Sequence, residues 1–244
     1  MNTKPLAGQI ALVTGASQGI GKAIALGLVD AGATLCLVGR ESQKLRVVSE
    51  EAHAATGQVL TYQTDLTVDS DLRQLCSYVK DEIRRLDILI LCAGLHALGT
   101  TEQASADSFD ALYHANVRAP YSLTQALLPL LRTAHGQVVF INSSVGLQSR
   151  AQVGQFAATQ HALKAVADSL REEINSDGIR VLNVFPGRTA TPRQAAIYRI
   201  EDRPYHPEVL LQPEDIATMV ICALCLPRTA EVTEIRMRPL VKSY

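Results

Sequence analysis

Short runs rich in Leu and β-branched residues alternate with longer amphipathic segments along the chain. The repeat is roughly 25–30 residues, the rhythm of strand–helix–strand units. Strands are expected near 9–13, 34–38, 59–63, 88–91, 137–142, 180–185 and 232–237, and helices near 20–31, 42–55, 70–85, 105–132, 153–176 and 213–225. The run at 88–91, Ile-Leu-Ile-Leu, has no polar alternation. A strand of that kind is covered on both faces, as parallel strands joined by helices are. Gly32, Gly57, Gly136 and Gly178 fall just after expected helices, where a left-handed residue closes the last turn. The expected architecture is α/β, a doubly wound parallel sheet of about seven strands flanked by helices. No repeat, low-complexity tract or linker divides the 244 residues, so one domain over 1–244 is expected. Within it, 187–212 holds three prolines and seven charged residues and reads as a long, partly mobile loop of the kind that shapes a substrate site.

The charge pattern excludes several classes of function. The 23 Lys+Arg and 24 Asp+Glu leave a formal net charge of −1, and no basic run is present. Nucleic acid is not an expected partner, because phosphate binding draws on clustered Lys and Arg. The longest apolar candidate, 86–98, is interrupted by Asp87, Gly94 and His96. It falls short of the roughly 18 residues a membrane helix needs, so no membrane association is expected. The first eight residues lack the charged start and apolar stretch of a signal peptide. Five cysteines, at 36, 76, 92, 222 and 225, do not make a disulfide framework in a chain of this length. A cytoplasmic protein is expected. Cys222 and Cys225 lie in an apolar helical run without a second pair and are expected to pack in the core. His53, His96, His114 and His135 have no metal-ligand spacing, and no metal site is expected. Ser143 and Ser144 lack the G-x-S-x-G elbow of a hydrolase nucleophile.

The strongest motif is Thr14-Gly15-Ala16-Ser17-Gln18-Gly19-Ile20-Gly21, between the first strand and the first helix. Gly15 permits a tight turn, Gly19 lets backbone approach a diphosphate, and Gly21 allows the helix to pack closely on the sheet. The helix N-terminus adds unpaired N–H groups and the positive end of a dipole. Position directly after the first strand favours a nucleotide cradle over an ordinary glycine-rich turn.

This turn is similar to the TGxxxGxG turn of the short-chain dehydrogenase/reductase family, and further matches follow in order over nearly the whole chain. Asp65-Leu66 resembles the family's adenine-contacting pair. Cys92-Ala93-Gly94 stands in the place of its NNAG motif, with Leu91 and Cys92 replacing both asparagines. Asn116 matches the helix asparagine and Ser143 the catalytic serine. Pro186-Gly187, with Thr189 and Thr191, resembles the PGxxxT segment that holds the nicotinamide end. The resemblance implies a Rossmann-type oxidoreductase using a nicotinamide dinucleotide on a small carbonyl or alcohol substrate. It also implies a homodimer or homotetramer built partly on the 153–176 helix, where Leu163, Val166, Leu170 and Ile174 recur at helical spacing.

Two positions refine that expectation. The second strand ends Val38-Gly39-Arg40, where an acidic side chain would bond the free 2′-hydroxyl of NAD and an arginine the 2′-phosphate of NADP. Gly39 supplies no carboxylate and Arg40 supplies charge, so NADP(H) is expected over NAD(H); the plainer role for Arg40 is a surface pair with Glu41 or another helix carboxylate. The helix after Ser143 reads Phe156-Ala157-Ala158-Thr159-Gln160, with Phe156 13 residues after Ser143, the family's usual interval to its tyrosine. Phe156 thus stands in place of the acid/base tyrosine and Gln160 in place of the lysine. Phe has no ionisable proton, a loss typically on the order of 10²–10⁴-fold. Gln160 can hydrogen-bond a ribose hydroxyl but brings no positive charge.

His161 is turned about 100° from the Gln160 face, and Lys164 lies roughly 12 Å along the axis from Phe156. Neither replaces the phenol. Tyr198 and His206, on the 187–212 segment, read as ordinary loop residues, with folding over the site as the sharper alternative. Three readings follow: a cofactor-binding family member with hydride transfer lost or strongly impaired, natural or engineered; an active enzyme with altered machinery, a slow reductase or a non-redox isomerase or cyclase; and a scaffold or regulatory subunit paired with an active relative. The first is preferred.

Overall fold

The expected strand–helix alternation is realised in a computed structural model, which describes residues 4–56 and 59–241. Seven parallel strands pair in one sheet: β1 (Ile10–Thr14), β2 (Thr34–Gly39), β3 (Val59–Gln63), β4 (Ile88–Leu91), β5 (Gln137–Ile141), β6 (Arg180–Pro186) and β7 (Glu234–Met237). Their order is β3-β2-β1-β4-β5-β6-β7, the Rossmann-type arrangement. The helices are α1 (Gly19–Asp30), α2 (Ser42–Thr56), α3 (Asp69–Glu82), α4 (Ala106–Tyr113), α5 (Ala119–Ala134), α6 (Gly154–Ile174), α7 (Pro192–Ile200) and α8 (Pro213–Leu224).

Strand side chains alternate between two cores, since successive residues point to opposite faces. On one face Val13, Leu35, Ile88, Ile90 and Val184 pack under Ile24 and Leu28 of α1 and Ile216 and Val220 of α8. On the other, Leu12, Val38, Leu89, Val138 and Phe140 pack under Leu75 of α3, Leu127 of α5 and Leu163 of α6. All four residues of β4 are buried, as an uninterrupted apolar run requires. Truncating one of these leucines to alanine costs roughly 2–5 kcal/mol, through lost transfer energy and the cavity left behind.

Four expectations change. The helix expected at 105–132 is two α-helices joined by a π-helical stretch, His114–Arg118; such stretches insert an extra residue into the turn and frequently occur at functional sites. Gly32 (φ 99°) and Gly178 (φ 70°) are left-handed as expected, but after α5 the left-handed residue is His135 (φ 47°), one position before Gly136. Gly136 is needed for room, because a Cβ there would lie 2.8 Å from the Leu86 carbonyl oxygen. Gly57 lies outside the described residues. The 187–212 segment is not a loose loop: Thr191 caps α7, its hydroxyl accepting from the Gln194 N–H at 3.1 Å with Pro192 opening the helix. Its Tyr198 is buried and its Thr189 bridges to Leu211. Finally, Cys222 and Cys225 are exposed rather than in the core, because α8 buries Ile216, Val220 and Leu224, and positions 222 and 225 fall off that stripe.

Candidate active site

The sheet's order reverses between β1 and β4, where neighbouring strands lead to opposite edges and open a crevice at their carboxyl ends. A cleft of about 500 Å³ occupies this place, within the range of small-molecule sites. The expected cofactor-contacting and catalytic positions line it, from Gly15, Gly19 and Gly21 through Arg40, Asp65 and Gly94 to Asn116, Ser143, Phe156, Gln160 and Thr191.

The middle of the cleft is the β1–α1 turn. Gly15 and Gly19 hold φ of 65° and 57°, where a side chain is strained. The Thr14 hydroxyl donates to the Ile90 carbonyl at 3.2 Å and accepts from the Cys92 and Ala93 N–H groups at 3.0 and 3.1 Å. These bonds join the glycine turn to the end of β4. Gly21 is needed for the turn itself, since a Cβ there would run into the Gly15 carbonyl oxygen. Gln18, at the start of α1, makes no side-chain cap, so the first N–H groups of α1 are not claimed by a capping side chain. Cys92 lies beneath this turn, and burial pushes its thiol up to about 11. It stays protonated at neutral pH and is packing, not a nucleophile.

One end of the cleft holds Arg40, Asp65 and Leu66. Glu41 pairs with Lys44 at 2.8 Å instead of with Arg40. Among the described residues no ion pair occupies the Arg40 side chain, which leaves it for a ligand. Burial raises the Asp65 carboxyl, yet the Thr67 hydroxyl at 2.7 Å, the Thr67 N–H at 3.0 Å and the charge of Arg40 together hold it below the ordinary range.

At the other end α6 runs beside the 3₁₀ turn Ser144–Gly146. The Asn142 amide donates to the Gln160 carbonyl at 3.0 Å, and a Cβ on Gly146 would lie 3.0 Å from that same oxygen. Ser143 accepts from the Val145 N–H at 3.4 Å, which leaves its hydroxyl proton available to the cleft. Phe156 is 9% exposed and packs with Leu112, Val145, Val153 and Ala157. Gln160, buried, is among the residues that line the cleft. Both amide hydrogens of Asn116 are committed, its Nδ2 donating to the Leu95 carbonyl at 3.0 Å and the Thr159 hydroxyl at 3.1 Å, and its Oδ1 accepts from the Leu95 N–H at 2.7 Å. It clamps the segment after β4 against α6.

The residues weighed as substitutes are elsewhere. His161 Nδ1 sits 2.9 Å from the Ala157 carbonyl, and Lys164 pairs with Asp168 at 2.5 Å and Glu234 at 3.0 Å. Tyr198 is buried behind the cleft with the Arg188 and Arg203 guanidiniums over its ring, and His206 pairs with Glu208 at the surface. Two cleft residues carried no motif. His96 lies against Phe156, ring centroids 4.5 Å apart. Arg193, from α7, donates across the cleft to the Gly94 carbonyl at 2.6 Å. A place two residues beyond Gly94 was the available signal for His96.

Among the described residues, no helix is long and apolar enough to cross a membrane, and no group of three or more His, Cys, Asp or Glu is placed to hold a metal ion.

Comparisons agree with this geometry. An uncharacterized oxidoreductase of Staphylococcus aureus strain N315 is 32% identical over 96% of this chain and 99% of its own. One of Staphylococcus epidermidis is 29% identical over 95% and 97%. Among solved structures, an alcohol dehydrogenase from the archaeon Thermococcus sibiricus complexed with 5-hydroxy-NADP superposes with a TM-score of 0.87 at 26% identity, covering 97% of this chain and 98% of that one. A metagenomic short-chain oxidoreductase in complex with NADP gives 0.84 at 30% identity, covering 98% and 100%. The family model described as short chain dehydrogenase matches residues 9–202, from β1 through the glycine turn, Ser143 and α6 to the end of α7. With its parallel sheet, its glycine turn and its cleft at the β1/β4 reversal, the chain belongs to the short-chain dehydrogenase family of oxidoreductases.

Proposed function

We propose that this protein binds NADP(H) in the cleft and that its hydride transfer between the nicotinamide and a small carbonyl or alcohol substrate is lost or strongly impaired. One observation carries the reading: a complete phosphate cradle opens, at its far end, onto Phe156. The residues present suit the dinucleotide. Gly15 and Gly19 supply close backbone, α1 an uncapped N-terminus for the diphosphate, Arg40 a charge for the 2′-phosphate, and Asp65-Leu66 the adenine end. Pro186, Gly187, Thr189 and Thr191 line the nicotinamide end, and a Cβ on Gly19 would come 3.1 Å from Thr191, which shows how closely the two segments approach. The NADP complexes of the superposed structures support the same choice of cofactor.

When bound, the nicotinamide supplies or accepts a hydride. Ser143 offers a hydroxyl to a substrate oxygen, and Gln160 an amide to a ribose hydroxyl. Phe156 exchanges no proton. Gln160 places no cation beside the reacting groups, and the Asn116 amide is spent on Leu95 and Thr159 rather than on a water relay. We further propose one domain over 1–244, working in the cytoplasm as a homodimer or homotetramer. The assembly is supported by the exposed aromatics Phe109, Tyr113 and Tyr121 on α4 and α5. On α6, Leu163 and Ile174 are buried in this chain's own core.

The test is an equilibrium titration with NADPH and with NADH, followed by calorimetry or nicotinamide fluorescence. Tighter binding of NADPH is expected; binding of neither overturns the reading.

A further inference from the structure

We infer that His96 carries the residual proton exchange of a hydride transfer that is impaired rather than lost, at the end of the cleft where Phe156 cannot. The inference rests on the cofactor reading above and goes beyond it by assigning the reacting proton to a residue outside every family motif in the chain.

The first support is placement. The imidazole packs on the Phe156 ring, centroids 4.5 Å apart and planes inclined at 55°, and lines the same cavity as Ser143 and Gln160. Its backbone is fixed, because Asn116 grips both the N–H and the carbonyl of the preceding residue, Leu95. The second support is that its ring nitrogens are not committed elsewhere in the chain. His135, His161 and His206, nearer the surface, each have a ring nitrogen within 3.2 Å of an oxygen. His96 is half-buried and lines the cleft, and it makes no ring-nitrogen hydrogen bond of this kind among the described residues. A half-buried ring nitrogen that borders the cavity and is not committed within the chain can bond a ligand placed there.

The electrostatics are consistent with a titrating role. Burial, then the charges of Arg193, Arg150 and Arg188, outweigh Glu201 and push the imidazole down to about 4. So lowered, it is neutral at pH 7 and can accept a proton. The anionic phosphates of a dinucleotide bound in the cleft would offset part of this positive charge and raise the imidazole towards the working pH, where acid–base exchange is most efficient. In alcohol oxidation the substrate C–H bond breaks with its electron pair passing to the oxidised nicotinamide as hydride, the O–H proton goes to the free imidazole nitrogen, and the carbonyl forms. The imidazolium then loses its proton to water. Reduction is the reverse, with the imidazolium protonating the carbonyl oxygen as hydride arrives from the reduced nicotinamide.

The test compares the wild-type chain with His96→Gln and His96→Ala. NADPH affinity is measured in each by fluorescence, and turnover over a panel of aldehydes and ketones. Expected are a fall in kcat on the order of 10²-fold in both variants, unchanged NADPH affinity, and recovery of the Ala variant by free imidazole, which a purely structural role would not produce. Independently of turnover, the histidine NMR signal missing from His96→Gln is expected to titrate at higher pH with NADP⁺ than without. Equal turnover in all three proteins, an imidazole indifferent to NADP⁺, or no turnover by a wild-type chain that binds NADPH overturns the inference. Failure of the wild type to bind NADPH overturns the cofactor reading, and this inference with it. If His96→Ala does not fold, the Gln variant and the wild-type titration decide.

Discussion

The glycine turn and the Phe156 end of the cleft lie within one cavity but are held in different ways. At the turn the ligand-facing surface is backbone, and each key position rejects substitution for a geometric reason. Gly15 has φ 65°, a Cβ on Gly21 would enter the Gly15 carbonyl, and Thr14 ties the turn to Cys92 and Ala93. A change there deforms the junction of β1, β4 and α1 and so threatens the fold as well as binding. At the other end function resides in terminal side-chain atoms. Phe156 fills an apolar nest of Leu112, Val145 and Val153 without needing a hydroxyl. Functional groups at such a place can be lost without loss of packing, whereas the cradle and the sheet stand or fall together.

The sharpest way to break this contrast is to rebuild the chemical end. Phe156→Tyr with Gln160→Lys is expected to raise NADPH-dependent carbonyl reduction by on the order of 10²–10⁴-fold, read as nicotinamide absorbance loss, with little change in melting temperature. No gain over a broad panel would mean that the surrounding pocket has also diverged. Gly21→Ala attacks the other end and is expected to cost roughly 1–3 kcal/mol of stability and to abolish NADPH binding, visible in a thermal melt and a titration. A stable variant that still binds NADPH would show the turn to be less tightly coupled to the fold than its geometry says. Arg40→Ala is smaller. It is expected to weaken NADPH roughly tenfold, the loss of a charge-assisted hydrogen bond, while NADH affinity stays level; equal losses for both nucleotides would remove Arg40 from the choice of cofactor.

The smallest effect belongs to the Lys164 cluster, which lies outside the cleft. Hydrogen bonds from Arg236 and Lys164 hold the Glu234 carboxyl below its ordinary range. Burial raises the Asp168 carboxyl, but Lys164 and Arg171 bring it down. Carboxyls depressed in the folded state contribute fully above their unfolded values of about 4, and the contribution is lost as pH falls through the folded values. Lys164→Met is therefore expected to flatten the acid side of the stability curve by no more than about 1 kcal/mol, because the pairs are partly exposed, and to leave NADPH binding untouched.

The strands were legible because parallel strands buried on both faces leave uninterrupted apolar runs such as 88–91. The glycine turn was legible because its spacing is local. Other local signals were present but misread. Thr191-Pro192 is a helix start inside a segment whose prolines and charges suggested a loop. The spacing of Ile216, Val220 and Leu224 already placed Cys222 and Cys225 outside the buried stripe of α8.

By itself the sequence determined the α/β class and the glycine turn after β1, and it placed Phe156 and Gln160 on the helix after Ser143, because each of these is written in residue type at short separations. Only the tertiary structure decided what else faces Phe156. His96 and Phe156 meet because the ends of β4 and β5 converge on one crevice and Asn116 draws the segment after β4 against α6. Arg193 reaches Gly94 because α7 folds back over the glycine turn. Contacts between residues so far apart along the chain depend on packing, and neither periodicity nor a motif encodes them.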